Sequence, residues 1–275
     1  MKKSISTILL LVVLLYSCNN NEKQARAMLE QAKTMYEQNE LFAAKNEIDS
    51  LRAHYPKEVG VLKDGLELMR LIEVKEAERT IAYCDSLIPI KLIEAETLKD
   101  GFIYEKDDAY QELGNYTWKQ QSIERNLQRC YIRCGVDEKG EMYLASVFFG
   151  ARPINHTSLK VSTTDGLFAQ TATIPYDGGR NYRFEDLGNT TEVVTYKGDA
   201  GVDAIKFIYA NEKERIKAEY MGGKAYTIYI TDADKKAIAA TYDLATVLND
   251  IDTMVTQREK ALSKIEYMKG KLQKD

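Results

Sequence analysis

Histidine, cysteine and proline are scarce in this chain of 275 residues, which has two, four and four of them. So few histidines and cysteines argue against a zinc-rich or disulfide-stapled architecture. The four prolines and sixteen glycines are too few for a collagen-like or low-complexity chain. The chain has 38 Lys and Arg and 42 Asp and Glu, so neither sign of charge predominates and the net charge is −4. A nucleic-acid partner, which requires a strongly basic face, is therefore not expected.

Hydrophobic residues make up 44% of the chain, which is enough to bury the core of one or two domains. After the first fifteen residues, no apolar run is long enough to span a bilayer. The sequence therefore predicts a folded, soluble body.

The N-terminus has the pattern of a signal peptide. Lys2 and Lys3 precede an apolar run from Ile8 to Leu15, and Leu15-Tyr16-Ser17-Cys18 closes it. This resembles a bacterial lipoprotein signal, in which an aliphatic residue lies three before the cysteine and a small residue immediately before it. The resemblance implies that residues 1–17 are a signal peptide and that Cys18 is the lipidation site, acylated with fatty acids such as palmitate. The alternative is an ordinary secretory signal or a short N-terminal membrane helix.

The residues after Cys18 bear on location. Asn19, Asn20 and Asn21 follow it, and in the enterobacterial sorting pattern the absence of aspartate here favours the outer membrane. Surface lipoproteins of the Bacteroidetes often carry an acidic run at this place, which this chain lacks. We therefore expect a lipid anchor at Cys18 in the outer membrane, on its periplasmic face, as the attachment of the chain to the cell envelope.

The cysteines beyond Cys18 are Cys84, Cys130 and Cys134, an odd number. Cys130 and Cys134 share a predicted strand, and four residues of strand separate them by about 13 Å, too far for a disulfide. We expect buried free thiols, with no metal site and no cofactor.

The mature chain begins with helices. Residues 18–58 predict a helical hairpin, which resembles a single tetratricopeptide unit at Ala32, Ala44 and Pro56. A lone unit does not imply the peptide groove of repeat arrays, and packing on the next helix is the simpler interpretation. Residues 59–129 predict a helical stalk that ends or kinks at Pro89, with a last helix over 104–129.

Residues 130–232 change to alternating hydrophobicity with regular Gly and Asp-Gly turns, which predicts an antiparallel β domain, a sandwich or an open barrel. The candidate strands are 130–136, 142–149, 158–163, 168–174, 192–196, 215–220 and 226–230. Residues 202–213 could equally form a short amphipathic helix that crosses one end of the domain.

Residues 233–275 return to a helix with a coiled-coil seam that includes Leu244, Leu248, Val255 and Leu262. We expect it to pack on the stalk of the same chain, which makes a monomer, although intermolecular pairing is the alternative. The whole is an α+β fold, a helical hairpin and stalk with an inserted antiparallel β domain and a returning C-terminal helix.

Motifs for catalysis are not visible. The chain has no G-x-S-x-G, no H-E-x-x-H and no phosphate-binding loop. His156 lies between two predicted strands, where we expect its nitrogens to meet water or a backbone carbonyl. No catalytic residue is therefore proposed from the sequence.

The leading binding candidate is the segment 175–184, which combines Tyr176, Arg180, Tyr182 and Arg183 with two glycines. Tyrosine rings and arginine forks suit contacts with sugars, carboxylates or proteins. The alternative is a β-turn whose tyrosines only cover the edge of the core.

Together these features predict a lipid-anchored envelope lipoprotein that acts as a binding or scaffolding component, with an envelope protein or a glycan as its partner. The alternatives are an envelope enzyme or glycan-processing accessory, and a subunit of an envelope assembly that docks through its helical stalk.

Overall fold

This computed structural model describes residues 2–272, with side chains from residue 20 onwards. The helices are α1 (Lys2–Glu37), α2 (Leu41–His54), α3 (Val59–Lys99), α4 (Val202–Ala210) and α5 (Asp232–Leu272). The strands are β1 (Phe102–Glu105), β2 (Asn115–Trp118), β3 (Tyr131–Asp137), β4 (Met142–Gly150), β5 (Ser158–Ser162), β6 (Phe168–Gln170), β7 (Asn181–Asp186), β8 (Asn189–Lys197), β9 (Lys217–Met221) and β10 (Tyr226–Tyr229). The fold is α+β, as the sequence predicts. Among the described residues, no helix is both long and apolar enough to cross a membrane.

The chain forms two compact units. The helical unit comprises Met1–Ser86 and Val255–Asp275, and the β unit comprises Leu87–Met254. The β unit therefore starts well before residue 130, where the change in sequence texture predicts a β domain.

The helical unit begins with the predicted hairpin of α1 and α2. Asn39 makes the turn with a φ of 70°, a left-handed conformation that asparagine tolerates better than most residues. Ala32 and Ala44 are fully buried, so the two helices approach closely. On α3, Gly65 has no side chain, and a Cβ there would lie 3.4 Å from Leu51. The hairpin is confirmed, and its likeness to a tetratricopeptide unit stays a prediction.

Helix α3 does not end at Pro89, because it continues to Lys99. Within the helical unit, α5 pairs with α3 of the same chain, where Lys264 Nζ lies 3.4 Å from Glu73 Oε2 and Arg258 bonds to Asp85. The C-terminal helix thus returns along the stalk, as predicted.

The β unit contains two antiparallel sheets, in the orders β1-β2-β3-β4-β8-β7 and β10-β9-β5-β6. Alternating residues of both sheets face one shared core, which α4 and α5 also enter; they include Ile132, Leu144, Val194, Leu159, Ala218, Ile208 and Ile238. The Tyr220 hydroxyl lies 3.2 Å from the Tyr131 carbonyl and 3.1 Å from the Val147 carbonyl, which joins the sheets. This is a sandwich with helices added.

The predicted helix over 104–129 is wrong. This segment forms β1 and β2 and then two short 3-10 helices, Lys119–Gln121 and Ile123–Arg125. Tyr116, Thr117 and Trp118 are residues that favour strands. At Gly114 a Cβ would lie 2.4 Å from the Tyr104 ring, so the aromatic packing of β1 on β2 requires glycine there.

The seven predicted strands are present, with different ends, and the short helix over 202–213 is α4. Strand β7 was not predicted, because its residues belong in part to the segment 175–184, which the sequence presents as a loop.

Candidate functional site

The outer face of the six-stranded sheet in the β unit carries a cluster of apolar and aromatic side chains beside polar ones. Alternate residues of β3, β4, β8 and β7 point to this face and line a groove of about 260 Å³. We call it the Arg133 groove, and its lining includes Leu127, Tyr131, Arg133, Val147, Phe149, Tyr182, Phe184, Leu187, Thr191 and Val193.

The segment 119–130 forms one wall of the groove. Gln121 fixes it to the sheet, because its side-chain Nε2 donates to the Ile132 carbonyl at 2.9 Å and its Oε1 accepts from the Cys134 backbone N–H at 2.9 Å. Its amide therefore bonds to β3 as the backbone of another strand would. Beyond it, Leu127 is 67% exposed at the rim.

Asp234 at the start of α5 holds the same segment. Its carboxylate accepts hydrogen bonds from Gln121 Nε2 at 3.1 Å and Thr231 Oγ1 at 2.7 Å, and it is paired with Arg129. The guanidinium of Arg129 also lies 4.8 Å from the centre of the Tyr131 ring. The positive charge of Arg129 is thus neutralised within the wall of the groove.

Arg133 on β3 is different. It is half-buried, and its Nε is shielded from solvent without a hydrogen-bond partner. Among the described residues, no carboxylate oxygen lies within 4.0 Å of its guanidinium. A cation so placed has lost part of its hydration and has no counter-charge to replace it.

Neighbouring tyrosines do not supply that counter-charge. Burial raises the pKa of Tyr131 and of Tyr143, so both phenols stay protonated at neutral pH. Burial alone would lower the pKa of Arg133, but its interactions with Tyr143, Tyr131 and Tyr182 outweigh this and raise it. Arg133 is therefore a cation at neutral pH.

Small residues make room around Arg133. Ala145 lies directly opposite it on β4, and Gly135 lies opposite Tyr143. On the other side of Arg133 a second cavity of about 420 Å³ reaches Thr117 and the carboxylates of Glu105 and Glu124. Arg133 lines both cavities.

The structure separates the four residues predicted as a binding loop. Tyr182 lies on β7 and faces the groove, where it packs near Tyr131 and Val147. Arg183 points the other way, because successive strand residues alternate. It bonds to the Asn155 side chain, and its guanidinium lies 5.2 Å from the centre of the Tyr176 ring.

Arg180 is exposed and lies 3.9 Å from Asp177, its neighbour in the turn. Tyr176 is 62% exposed. Of the predicted site, only Tyr182 belongs to the groove.

A second polar cluster lies inside the sandwich. Ser146 Oγ is 2.8 Å from His156 Nε2, and His156 Nδ1 is 2.9 Å from Glu192 Oε2. This is the order of groups in a Ser-His-acid triad. The prediction that His156 meets water or a backbone carbonyl misses its main partners, because a serine hydroxyl and a carboxylate hold the ring, although Nε2 also lies 3.4 Å from the Ser146 carbonyl.

Burial closes this array to a substrate. Ser146, His156 and Glu192 are 0%, 1% and 3% exposed, and Ser146 Oγ also lies 3.0 Å from the Tyr196 hydroxyl. Burial alone would raise the pKa of Glu192, but hydrogen bonds from the His156 ring and from two backbone amides hold it below its usual value. The array is a satisfied network that connects β4, β8 and the loop before β5.

The described cysteines, Cys84, Cys130 and Cys134, are free. Burial raises the pKa of Cys134 to about 12, so its thiol is unreactive at neutral pH. Within the described part of the chain, no group of acidic, histidine or cysteine side chains could hold a metal ion.

Sequence reasoning missed Arg133, although a signal for it exists. The predicted strand 130–136 alternates, and Ile132 and Cys134 are apolar positions of one face. Tyr131 and Arg133 therefore share the other face, where a lone arginine beside an aromatic ring is a reason to look for a site.

The predicted lipidation site, Cys18, lies outside the residues whose side chains are described. Comparison of the chain with protein-family models, with curated proteins and with solved structures finds no match.

Proposed function

We propose that this chain is a lipid-anchored protein of the cell envelope that binds a small amphipathic ligand in the Arg133 groove. The observation that carries the proposal is an open apolar groove with an unpaired, half-buried arginine on its floor. Part of the groove floor is core, since Tyr131, Val147 and Val193 form a buried cluster, but the exposed apolar rim and the arginine without a counter-charge are what a binding site provides.

The apolar character of the groove supports binding. The solvated face of an antiparallel sheet is usually polar. Here large apolar side chains gather at the rim, and Leu127, Phe184 and Leu187 are 67%, 51% and 89% exposed. Clustered exposed apolar side chains are typical of interaction sites. The second cavity beside Arg133, at about 420 Å³, is of the size that small ligands occupy, roughly 300–1,000 Å³, and the groove, at about 260 Å³, is slightly smaller.

The lipid anchor is supported by the sequence alone. Cys18 follows an apolar run and a small residue, as in lipoprotein signals. Because several acyl chains make a stable anchor, one lipidated cysteine would hold the chain in the membrane. The expected location is the outer membrane, on its periplasmic face.

The anchor is tested by Cys18→Ala with metabolic labelling by palmitate. We expect labelling to disappear and the chain to leave the membrane fraction. A Cys84→Ala variant, which changes a buried thiol elsewhere, should keep its label. A Cys18→Ala chain that still takes up palmitate, or stays in membranes after its signal is cleaved, would contradict the anchor.

Groove binding is tested with N-phenylnaphthylamine, a neutral apolar fluorophore whose emission rises when it leaves water. Thr191→Trp places a large ring on the groove floor, so fluorescence at saturation should fall several-fold. Thr227→Trp is the matched control, because it makes the same change on the exposed strand β10 of the other sheet. Equal fluorescence from both variants would reject the groove as the binding site.

A further inference from the structure

The charge distribution of the groove narrows the class of ligand. The geometry points to a monocarboxylate with an apolar or aromatic body, whose carboxylate pairs with the Arg133 guanidinium while the body lies along Val147, Phe149 and Phe184. This inference rests on the proposed function and names the ligand chemistry of the same groove.

The first argument is charge balance. Arg129 and Arg133 both line the groove, but the charge of Arg129 is neutralised by Asp234. Arg133 has no carboxylate oxygen within 4.0 Å among the described residues, although Asp186 lines the same groove and Glu105 and Glu124 line the second cavity. A singly charged anion pairs with this cation, whereas a phosphate dianion would bring more negative charge near those carboxylates.

The second argument is the shape of the cation. A guanidinium is a planar fork that matches the two oxygens of a carboxylate with parallel hydrogen bonds. The Nε of Arg133 is shielded from solvent, so the two terminal Nη groups are the donors that such a fork uses here. Bidentate pairing would give the guanidinium the counter-charge that no described carboxylate provides within 4.0 Å.

The third argument is what surrounds the fork. Val147, Val193, Phe149 and Phe184 continue from Arg133 towards β7 without a charge among them. Asp186 lies beyond Phe184 along β7, at the far end of the lining. An acid with a compact apolar body can therefore place its carboxylate at Arg133 and its body on the aromatic side chains, short of Asp186.

A matched pair of probes tests the inference, namely phenylbutyrate and phenylbutyramide, which differ in charge and hardly in size. Binding to the full chain is measured by equilibrium dialysis at neutral pH. Ligands this small bind with Kd values on the order of 1 mM. We expect the acid to bind at least about tenfold more tightly than the amide, the effect of a charged hydrogen-bonded pair.

Arg133→Met keeps the apolar stem and removes the charge, and it should reduce the preference for the acid to less than about twofold. Arg133→Lys should retain part of it, since a point charge remains without the fork. Arg152→Met is the control, because it removes one positive charge from an exposed position of the same unit and should leave both affinities unchanged. Arg133→Met removes no ion pair, although it removes the hydrogen bond between the guanidinium and Tyr182, and thermal unfolding checks that the variant folds.

The outcomes are distinct from those of the proposed function. Equal binding of acid and amide, a preference that survives Arg133→Met, or no acid binding at roughly 10 mM would each overturn the monocarboxylate assignment. If N-phenylnaphthylamine still responds to Thr191→Trp in those cases, the groove remains an apolar binding site. If N-phenylnaphthylamine fluorescence does not respond to Thr191→Trp while the acid binds through Arg133, the monocarboxylate assignment is supported. The groove is then not a binding site for neutral apolar molecules.

Discussion

The ring of Tyr143 lies across Gly135, its direct partner on the neighbouring strand, with the phenol oxygen 2.6 Å from the position that a Cβ at residue 135 would take. The ring can lie flat on β3 only because residue 135 has no side chain. Tyr143 in turn stands beside Arg133 and lines the second cavity. A glycine thereby sets the shape of the site from the strand that carries Arg133.

This relationship makes the first prediction. Gly135→Ala should destabilise the chain by about 1–3 kcal/mol, because the added methyl group overlaps the Tyr143 ring. Without that overlap alanine would be favoured in a strand by reducing the entropy of the unfolded chain. Urea unfolding measures the change. Gly179→Ala is the control, since only the Asp177 carboxylate lies near, at 3.8 Å, and it should be neutral within about 0.5 kcal/mol. A neutral Gly135→Ala would show that Tyr143 moves aside freely.

The second prediction concerns the buried array. Glu192 accepts hydrogen bonds from the His156 ring and from the backbone amides of Asn155 and His156. Glu192→Gln replaces one acceptor oxygen by a donor that faces other donors, and it should cost about 2–4 kcal/mol at pH 7. Glu185→Gln, an exposed change on the adjacent strand β7, should cost less than about 0.5 kcal/mol.

The pH dependence of that difference has a definite sign. The folded-state pKa of Glu192 lies below its usual value of 4.5, so its contribution to stability is complete above pH 4.5 and is lost as the pH falls through the folded pKa. The free energy of unfolding of the wild type should therefore approach that of Glu192→Gln on acidification. A gap that stays constant down to pH 3 would contradict the lowered pKa.

The sequence predicts much of the fold because its strongest signals are local. The hairpin of α1 and α2 and helix α5 follow from helical periodicity over ten or more residues, and the seven strands follow from short alternating runs between turn residues. Residues 104–129 are misread because their apolar residues occur at mixed spacings, and the pairing of β2 with both β1 and β3 decides the outcome. That pairing is not visible in a local window.

The candidate site shows the same division. Tyr182 can be chosen from the sequence because it stands among aromatic and basic residues. Arg133 is recognised as a site residue only from the tertiary structure. The wall of its groove depends on the contact between Gln121 and Asp234, which are 113 residues apart. Ser146, His156 and Glu192 likewise meet through strand register, and no short motif connects them.

The third prediction uses the stripe of α5 in the helical unit. The heptad pattern assigns Leu262 to the seam. In the structure Leu262 is 44% exposed, whereas its neighbour Ala261 is only 7% exposed. Ala261→Glu should therefore destabilise by at least about 2 kcal/mol, because it buries a charge. Leu262→Glu should change stability by less than about 1 kcal/mol. Thermal unfolding of the two variants measures both losses of stability. A larger loss in Leu262→Glu than in Ala261→Glu would show that Leu262 is the buried residue, as the heptad pattern predicts.

The last prediction compares two aspartates in the first turn of α5. Asp234 is 3% exposed and bonds to Gln121, Arg129 and Thr231, whereas the side chain of Asp232 is fully exposed and pairs only with Lys235 at 3.0 Å. Asp234→Ala leaves Arg129 without its carboxylate and removes the bond that fixes Gln121, so it should cost about 3–5 kcal/mol. Asp232→Ala removes the carboxylate partner of the buried Lys235, whose ammonium keeps its bond to the Glu214 carbonyl at 2.7 Å, so it should cost about 1–2 kcal/mol, less than Asp234→Ala. Because Asp234 also holds the segment 119–130, amide hydrogen exchange in that segment should accelerate in Asp234→Ala under conditions where the sheets stay folded. Unchanged exchange there would show that the wall of the groove is held by other contacts.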